Sequence, residues 1–282
     1  MEITEAGVVG AGTMGSGIAQ LFAQHAIHVT LVDTSEAALE RAMVAMRTSL
    51  ARLAKKGALG EVDPVVILSR ITLTTQFDHL KNCQIVAEAI TENPAAKETL
   101  FHLLSECVSP TAILATNTSS LSLTQIAAWC SIPERVIGMH FMNPVAIMPL
   151  VEVIRALQTS DATWDTVHQL AKQLGKTPVL VNDSPGFVSN RILMPMINEA
   201  IFCLYEGLAC AEDIDNVMKM GMNHPIGPLA LADLIGLDTC LSIMDILYQA
   251  FRDSKYRACP LLVKMVSAGQ LGRKTQQGFY HY

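Results

Sequence analysis

Three glycines near the amino terminus constrain the fold of this chain more than any other feature. Gly10, Gly12 and Gly15 follow a short apolar run and open a helical pattern, in the segment VVGAGTMGSGIAQLFAQHAIHVTLVD. A second apolar run then ends in an acid, Asp33, 23 residues after Gly10. A glycine triplet alone marks many turns, but a strand, this turn, a helix and an acid-terminated strand form a dinucleotide-binding βαβ unit. The context therefore predicts a nucleotide site.

Each glycine has a physical role in this prediction. Gly10 permits the tight turn, Gly12 lets a pyrophosphate approach the backbone, and Gly15 lets the helix and strand pack closely. The helix that follows offers backbone N–H groups and a favourable dipole to an anion. The predicted cofactor-binding turn consists of Gly10, Ala11, Gly12, Thr13, Met14 and Gly15.

Asp33 discriminates between two dinucleotides. A carboxylate at this position accepts hydrogen bonds from an adenosine ribose and repels a 2′-phosphate. The first basic residue after it is Arg41, which lies too far along the following helix to be assigned as a phosphate ligand. NAD is therefore predicted in preference to NADP.

The chain changes its pattern near residue 183. Before it, short β-branched runs alternate with helical stretches, which predicts a mainly parallel sheet covered by helices. After it, apolar positions keep helical spacing to the C-terminus. We predict a doubly wound, Rossmann-type α/β domain over 1–183 and an all-α domain over 184–282, in which Asp183 or Ser184 caps the first helix. The runs that look like strands are GVVG, HVTLVD, RITLTT, QIVAEA, AILATN, RVIGMHF and TPVLVND.

Composition excludes several classes of protein. The chain has 282 residues, 50% of them hydrophobic, and a formal net charge of −6. Nucleic-acid binders need an excess of cations, so nucleic acid is an unexpected partner. The most apolar C-terminal region, PIGPLALADLIGLDTCLSIMDIL, is interrupted by three aspartates, so no membrane span is predicted. The glycine turn begins too early to leave room for a targeting peptide ahead of it.

The cysteines are seven in number, scattered, and without a C-x-x-C pair. This usage fits reduced thiols in the cytoplasm better than disulfides or a zinc site. We predict neither a disulfide nor a metal.

A basic segment lies between Arg41 and Lys56. RAMVAMRTSLARLAKK carries five cations and no acid in a chain that is acidic overall. A solvated helix face is the commoner explanation of such a run. A phosphorylated substrate is the other, because Arg and Lys pair with phosphate oxygens. Spacing alone does not decide between them.

The stretch HFMNPVAIMPLVEV places His140 and Glu152 among apolar residues. A histidine in such surroundings is more often a core residue than a catalyst. Further motifs change this interpretation, since together they resemble the 3-hydroxyacyl-CoA dehydrogenase family, in length its short bacterial 3-hydroxybutyryl-CoA type. The resemblance covers nearly the whole chain. It rests on GAGTMG, Asp33, SLARLAKK, AITEN with Lys97, NTSS at 117–120, HFMNP, LVE ending at Glu152, SPGFVSNR, HPIGP and GRKTQQGFYHY.

The resemblance implies roles for four residues. His140 is implied to be the general base for the 3-hydroxyl proton, since an imidazole titrates near neutral pH. Glu152 would hold the other ring nitrogen and stabilise the imidazolium. Ser119 and Asn190 match the residues that donate hydrogen bonds to the substrate oxygen.

The resemblance also implies contacts with the cofactor and with coenzyme A. Further contacts with the nicotinamide cofactor are implied for Glu92, Lys97, Ser119, Asn143 and Lys274. Ser49 and Lys56 match coenzyme A contacts, which favours the phosphate explanation of the basic segment. Lys97 and Lys274 are otherwise ordinary surface lysines, and Asn143 otherwise satisfies turn backbone. Pro149 departs from the lysine that many relatives have before LVE.

Four other functions are compatible with parts of the sequence. A β-hydroxyacid dehydrogenase would need a lysine on the interdomain helix, and VSNRILMPMINEA has none. A gulonate dehydrogenase-like enzyme would act on a sugar acid, and a related dehydrogenase on a carrier-protein-linked acyl group. A crystallin-like structural protein would bind the cofactor without catalysis and needs no His–Glu pair.

The sequence thus predicts an NAD-dependent (S)-3-hydroxyacyl-CoA dehydrogenase of fatty acid metabolism that interconverts 3-hydroxybutyryl-CoA and acetoacetyl-CoA. The stereochemistry rests on the resemblance alone. The helical domain has more apolar surface than about 100 residues bury easily, and the family pairs through it. A cytoplasmic homodimer is expected.

Overall fold

The chain divides into two compact units. The computed structural model describes residues 2–282, with the first unit ending at Asp183 and the second running from Ser184 to Tyr282. Each unit has its own cluster of buried apolar side chains.

The first unit is built on one eight-stranded sheet with the order β3-β2-β1-β4-β5-β6-β7-β8. The six strands from β3 to β6 in this order are parallel, β7 pairs antiparallel with β6, and β8 pairs parallel with β7. This is the predicted Rossmann-type fold, which is confirmed. The strands are β1 (Glu5–Val9), β2 (His28–Val32), β3 (Ile71–Thr74), β4 (Ile85–Glu88), β5 (Ile113–Thr116), β6 (Val136–Phe141), β7 (Leu150–Arg155) and β8 (Thr177–Asn182).

The sequence predicts seven of the eight strands of this sheet, and the strand that it does not predict is β7. β7 has the sequence LVEVIR, and its acid and terminal arginine interrupt the apolar pattern that marks the other strands. Glu152 is nevertheless buried in the middle of it. The buried carboxylate has a partner directly opposite on β6, which sequence periodicity does not reveal.

Six helices connect the strands of the first unit. Most begin at a residue whose side-chain oxygen accepts a backbone N–H of the first turn, which explains where they start. These caps are Ser35, Asp63, Asn93, Ser122 and Ser160. The helices are α1 (Thr13–Gln24), α2 (Glu36–Lys55), α3 (Pro64–Ser69), α4 (Pro94–Cys107), α5 (Leu123–Ala128) and α6 (Asp161–Gln173).

The parallel strands bring functional segments to one edge of the sheet. Gly10 follows β1, Ala89 follows β4, Asn117 follows β5, and His140 lies near the carboxyl end of β6. Since carboxyl ends of parallel strands share an edge, ligands of such sheets bind there. The interior strands β4, β5 and β6 are buried throughout.

The predicted cap of the first helix in the second unit is wrong. α7 begins at Ser189, its N-cap position is Val188, and no side chain caps it. The chain instead turns through Gly186 and Phe187, both at positive φ. Asp183 accepts hydrogen bonds from Ser122 Oγ (2.8 Å) and the backbone N–H groups of Leu123 (3.0 Å) and Thr124 (2.8 Å) at the start of α5.

The second unit is helical, as predicted. Its last segment is fixed by two buried acids: Asp233 accepts the N–H groups of Phe279 (3.0 Å) and Tyr280 (2.9 Å), and Asp215 accepts the Tyr280 hydroxyl (2.8 Å). The helices are α7 (Ser189–Tyr205), α8 (Ala211–Asn216), α9 (Pro228–Ile235), α10 (Leu237–Phe251) and α11 (Pro260–Ser267).

Candidate active site

The glycine turn has the geometry that its spacing predicts. Gly10 has φ +102°, and a Cβ there would lie 2.6 Å from the carbonyl oxygen of Ala89. A Cβ on Gly15 would lie 1.8 Å from the carbonyl oxygen of Gly10. A Cβ on Gly12 would meet nothing within 4 Å. Gly10 and Gly15 are therefore required by packing, whereas the space beside Gly12 can receive a ligand.

The N-terminus of α1 suits an anion. Its N-cap is Gly12, and no side chain occupies the N–H groups of the first turn, which begins with Thr13 and Met14. Ala11 N–H instead donates to Asp33 Oδ2 (2.8 Å), and Ser35 N–H donates to Asp33 Oδ1 (2.9 Å). Unpaired N–H groups at the start of a twelve-residue helix bind phosphate groups well.

A cavity of about 950 Å³ opens beside the glycine turn, a volume that suits a nucleotide. Asp33 lies in its wall, and small or apolar residues of α2 and α4, among them Ala38, Ala42 and Leu100, form its sides. Arg41 also lines this cavity. The helix α2 therefore brings one cation to the cavity, at a position eight residues after Asp33. The residues present fit a bound dinucleotide.

His140 and Glu152 form a buried pair. The antiparallel ladder places them directly opposite each other on β6 and β7. His140 Nδ1 lies 2.7 Å from Glu152 Oε2, and the two residues are 8% and 2% exposed. A carboxylate bound to one ring nitrogen fixes the tautomer and leaves proton exchange to the other nitrogen, Nε2.

Lys97 is a buried residue of α4, so its interpretation as a surface lysine is wrong. Its ammonium donates to Glu88 Oε1 (2.5 Å) and lies 3.4 Å from Glu92 Oε2. Glu88 also accepts the N–H of Ile90 (2.8 Å) and the hydroxyl of Thr116 (2.6 Å). This network joins the carboxyl ends of β4 and β5 to α4.

Glu92 organises the turn that carries Ser119. Its Oε1 accepts hydrogen bonds from the Thr118 hydroxyl (2.5 Å), Ser119 N–H (2.9 Å) and both the N–H and hydroxyl of Ser120 (3.1 and 2.8 Å). Burial raises the pKa of the Glu92 carboxyl, but the Lys97 ammonium and these hydrogen bonds outweigh it, so the pKa lies below its ordinary value. The carboxylate is thus kept ionised and anchors the turn.

Asn117 joins that turn to the strand of His140. Its Oδ1 accepts the N–H of Phe141 at 2.9 Å. The residue next to His140 is therefore bonded directly to the segment that contains Ser119. The structure brings Ser119, Glu92, Lys97 and the His140 strand together in one bonded region.

The remaining predicted residues of the first unit lie on α2 and after β6. Ser49 is on α2 and Lys56 is its C-cap, seven residues later and therefore on the same side of the helix. Asn143 lies in the loop after β6 and is exposed.

Two predicted residues belong to the second unit. Asn190 is in the first turn of α7 and is 9% exposed. Lys274 is exposed and forms an ion pair with Asp238 at the start of α10. The segment that carries Lys274 is the one fixed by Asp233 and Asp215.

Sequence reasoning missed Glu88 and Lys176. Glu88 interrupts a buried strand at the carboxyl end of β4, and an acid in the apolar run QIVAEA is a signal that could have identified it. Lys176 is 8% exposed, and nothing in its local sequence separates it from a surface lysine.

Residues 2–282 contain no candidate membrane span, metal cluster or disulfide. Within that range no helix combines the length and apolarity that a membrane span requires. The same described residues contain no group of three or more His, Cys, Asp or Glu that could hold a metal ion. All seven cysteines are free thiols.

Two family models match the chain. The model described as 3-hydroxyacyl-CoA dehydrogenase, NAD binding domain, matches residues 5–184. The model described as 3-hydroxyacyl-CoA dehydrogenase, C-terminal domain, matches residues 186–282.

Individual relatives agree with these matches. The chain is 55% identical over 282 residues to a probable 3-hydroxybutyryl-CoA dehydrogenase of Bacillus subtilis (strain 168), covering 100% of this chain and 98% of that protein. It is 50% identical over 275 residues to a 3-hydroxybutyryl-CoA dehydrogenase of Clostridioides difficile, covering 98% of each. The crystal structure of (S)-3-hydroxybutyryl-CoA dehydrogenase PaaH1 from Ralstonia eutropha matches with a TM-score of 0.95 and 53% identity, over 100% of this chain and 99% of that one.

Proposed function

The chain belongs to the 3-hydroxyacyl-CoA dehydrogenase family, and on that premise we propose that it is an NAD-dependent (S)-3-hydroxyacyl-CoA dehydrogenase that interconverts 3-hydroxybutyryl-CoA and acetoacetyl-CoA. The observation that carries this function is the buried contact of 2.7 Å between His140 Nδ1 and Glu152 Oε2. A structural protein that only holds a nucleotide has no use for such a pair.

His140 is the general acid and base. In the oxidative direction its Nε2 takes the proton of the 3-hydroxyl, and in the reductive direction it returns that proton. Bound NAD supplies the acceptor for the hydride that leaves carbon 3. Glu152 accepts a hydrogen bond from Nδ1–H, holds the ring orientation and stabilises the imidazolium when it forms.

Ser119 binds the substrate oxygen. Ser119 is held by Glu92 in a turn bonded to the His140 strand, which supports this role. Its hydroxyl donates a hydrogen bond to the oxygen as negative charge develops on it during reduction. Asn190, in the first turn of α7, is the proposed substrate-binding residue of the second unit.

The cofactor site follows from the glycine turn and the cavity beside it. The turn and the start of α1 hold the pyrophosphate, and Asp33 accepts the ribose hydroxyls and disfavours a 2′-phosphate. The residues assigned to the cofactor are Gly10, Ala11, Gly12, Thr13, Met14, Gly15, Asp33, Glu92, Lys97, Ser119, Asn143 and Lys274. Lys97 and Glu92 act there through the buried network that they share with Glu88.

The basic segment on α2 holds the coenzyme A portion of the substrate. Ser49 and Lys56 lie on one side of α2, and Arg52 and Lys55 add positive charge to its last turn. Cations and hydroxyls arranged in this way pair with phosphate oxygens. A sugar acid carries no phosphate and needs no such segment.

Substrate comparison tests this proposal. Rates with NADH and with NADPH are measured for acetoacetyl-CoA, longer 3-oxoacyl-CoA thioesters, an acetoacetyl carrier protein and, in the oxidative direction with NAD, L-gulonate. The proposal predicts the highest kcat/KM for acetoacetyl-CoA with NADH. Faster turnover of gulonate or of the carrier-linked substrate would reassign the enzyme, and no turnover of any of them would indicate a binding protein.

Gly12→Ala tests where the cofactor lies. Gly12 has φ −74°, which alanine adopts freely, and an added Cβ meets no protein atom within 4 Å. We expect an unchanged melting temperature and NADH binding weakened by about 10-fold or more, because the methyl group occupies the space of the pyrophosphate. Titration of NADH fluorescence measures the Kd. Gly221→Ala, at another open position with ordinary φ, is the matched control. Unaltered binding in Gly12→Ala would place the cofactor elsewhere.

The protein is further proposed to act as a homodimer in the cytoplasm, in fatty acid metabolism. The second unit exposes large apolar side chains that water solvates poorly, which supports pairing through this unit. Leu208, Val217, Met220 and Met222 are each more than half exposed. Free thiols at all seven cysteines fit a reducing compartment.

The mass in solution tests the dimer. Size-exclusion chromatography with light scattering is expected to give twice the chain mass of 30.5 kDa. Met220→Glu, at an 80% exposed position, should shift the mass toward that of one chain because it buries a charge in the contact. Val44→Glu, exposed on α2, is the control. A monomeric wild-type protein would contradict the proposal.

A further inference from the structure

The loop between β6 and β7, residues 142–149, connects the strand of His140 to the strand of Glu152. His140 lies two residues before it and Glu152 three residues after it. It contains Asn143, which is assigned to the cofactor. The strands on either side are fixed by their ladder, but the loop itself has few backbone bonds, among them those from Ile147 and Met148 N–H to the Pro144 carbonyl (both 3.0 Å).

A buried ammonium group holds this loop. Lys176 Nζ donates to the carbonyl oxygens of Val145 (2.6 Å) and Met148 (2.8 Å), so one side chain joins both halves of the loop. The lysine stands in the turn between α6 and β8, where its own N–H donates to the carbonyl of Ala171 (3.0 Å). The next residue, Thr177, donates its N–H to the Pro149 carbonyl (2.7 Å). Lys176 therefore ties the loop to a rigid part of the fold.

The charge at Lys176 is retained at a cost. Both bonded partners are neutral carbonyl oxygens, and burial lowers the pKa of the ammonium below its ordinary value. A lysine in a turn of this kind could extend into water, as long cationic side chains usually do. Its burial against two carbonyl groups is explained if the loop must be held in one conformation.

The loop also rests on the nucleotide-binding helix. Val145 is 3% exposed, and a Cβ on Gly17 of α1 would lie 3.0 Å from both Val145 Cβ and Cγ2. Gly17 is two residues after Gly15 of the glycine turn. Through Val145, the position set by Lys176 is transmitted to the helix whose N-terminus receives the pyrophosphate, and it fixes Asn143 two residues away.

We propose that Lys176 is a positioning residue for the cofactor: its buried ammonium fixes the 142–149 loop against α1 and thereby places Asn143 for nicotinamide dinucleotide binding. This inference rests on the proposed function, in which Asn143 contacts the cofactor. His140 and Glu152 are aligned by their own strand ladder, so Lys176 acts on binding and leaves proton transfer unaffected.

Lys176→Met tests the inference because it keeps the apolar length of the side chain and removes the donors. We expect the Kd for NADH to rise about 10-fold, as a displacement of about 1 Å in a positioned group produces effects of this order or larger. The value of kcat at saturating NADH should stay within about twofold, since the proton-transfer pair is not displaced. Lys172→Met, on the exposed side of α6, is the matched control and should match the wild type.

A double variant tests whether Lys176 affects NADH binding through Asn143. In the Asn143→Ala background, Lys176→Met should weaken NADH binding by less than about twofold more, because residues that act through one another are not additive. A full further 10-fold loss would overturn the route through Asn143. If Lys176→Met does not fold, Lys176→Leu, which also lacks donors, is measured, and an unchanged Kd in either variant overturns the inference. Wild-type protein that fails to bind NADH contradicts the proposed function instead.

Discussion

His140→Gln is expected to lower kcat for acetoacetyl-CoA reduction by about 100-fold or more, while NADH binds as in the wild type. Glutamine keeps a polar group of similar reach but cannot exchange a proton near neutral pH, and positioned general acids and bases contribute factors of about 10² to 10⁴. His140 does not belong to the glycine turn or to the cavity beside it, so cofactor affinity should be retained. Steady-state rates and NADH fluorescence titration measure the two quantities.

His102→Gln provides the matched control for this substitution. His102 is an exposed residue of α4 whose nearest acid, Glu98, lies at 4.0 Å. Its replacement should leave kcat and the NADH Kd unchanged. Wild-type turnover in His140→Gln would show that the base has been assigned to the wrong residue.

Glu152→Gln is expected to lower kcat by about 10- to 100-fold, as loss of a carboxylate that orients a functional imidazole commonly does. The amide occupies the same volume opposite His140 but carries no charge to stabilise an imidazolium. The effect should appear in kcat, because Glu152 is paired with His140 and is not among the residues assigned to the cofactor. Rates at saturating substrate give this value.

The control for this variant is Glu98→Gln, the same chemical change at an exposed position on α4. Thermal unfolding of both variants separates a loss of fold from a loss of chemistry. Normal activity in folded Glu152→Gln would show that Glu152 has a structural role and does not contribute to proton transfer.

The fold was predictable where one chemical pattern dominates. The parallel strands are continuous apolar runs because helices bury both faces of such a sheet. Five of the six helices of the first unit, all except α1, begin at side chains that cap them locally. β7 was not predicted because it contains Glu152 in its middle, and an acid is unusual in a buried strand. The partner of this carboxylate, His140, lies 12 residues away in the sequence. The prediction that Asp183 caps α7 is wrong for a similar reason. The N–H groups from which it accepts hydrogen bonds belong to α5, about 60 residues earlier.

The site was predictable to the extent that local motifs carry it. The glycine turn and Asp33 follow from spacing and backbone sterics. Glu92 and Lys97 were identified by resemblance, but their arrangement was not, because the network with Glu88 and Thr116 joins three segments separated in sequence. Lys176 could not be found at all, since its two acceptors are backbone carbonyl oxygens, which any sequence supplies.

A kinetic double-mutant cycle on His140 and Glu152 tests whether the two residues act together as one proton-transfer pair. Values of kcat are measured for the wild type, His140→Gln, Glu152→Gln and the variant with both changes, each at saturating NADH and acetoacetyl-CoA. If the carboxylate acts through the imidazole, as proposed, the double variant should be within about threefold of His140→Gln. A double variant slowed by the product of the two single effects would contradict it.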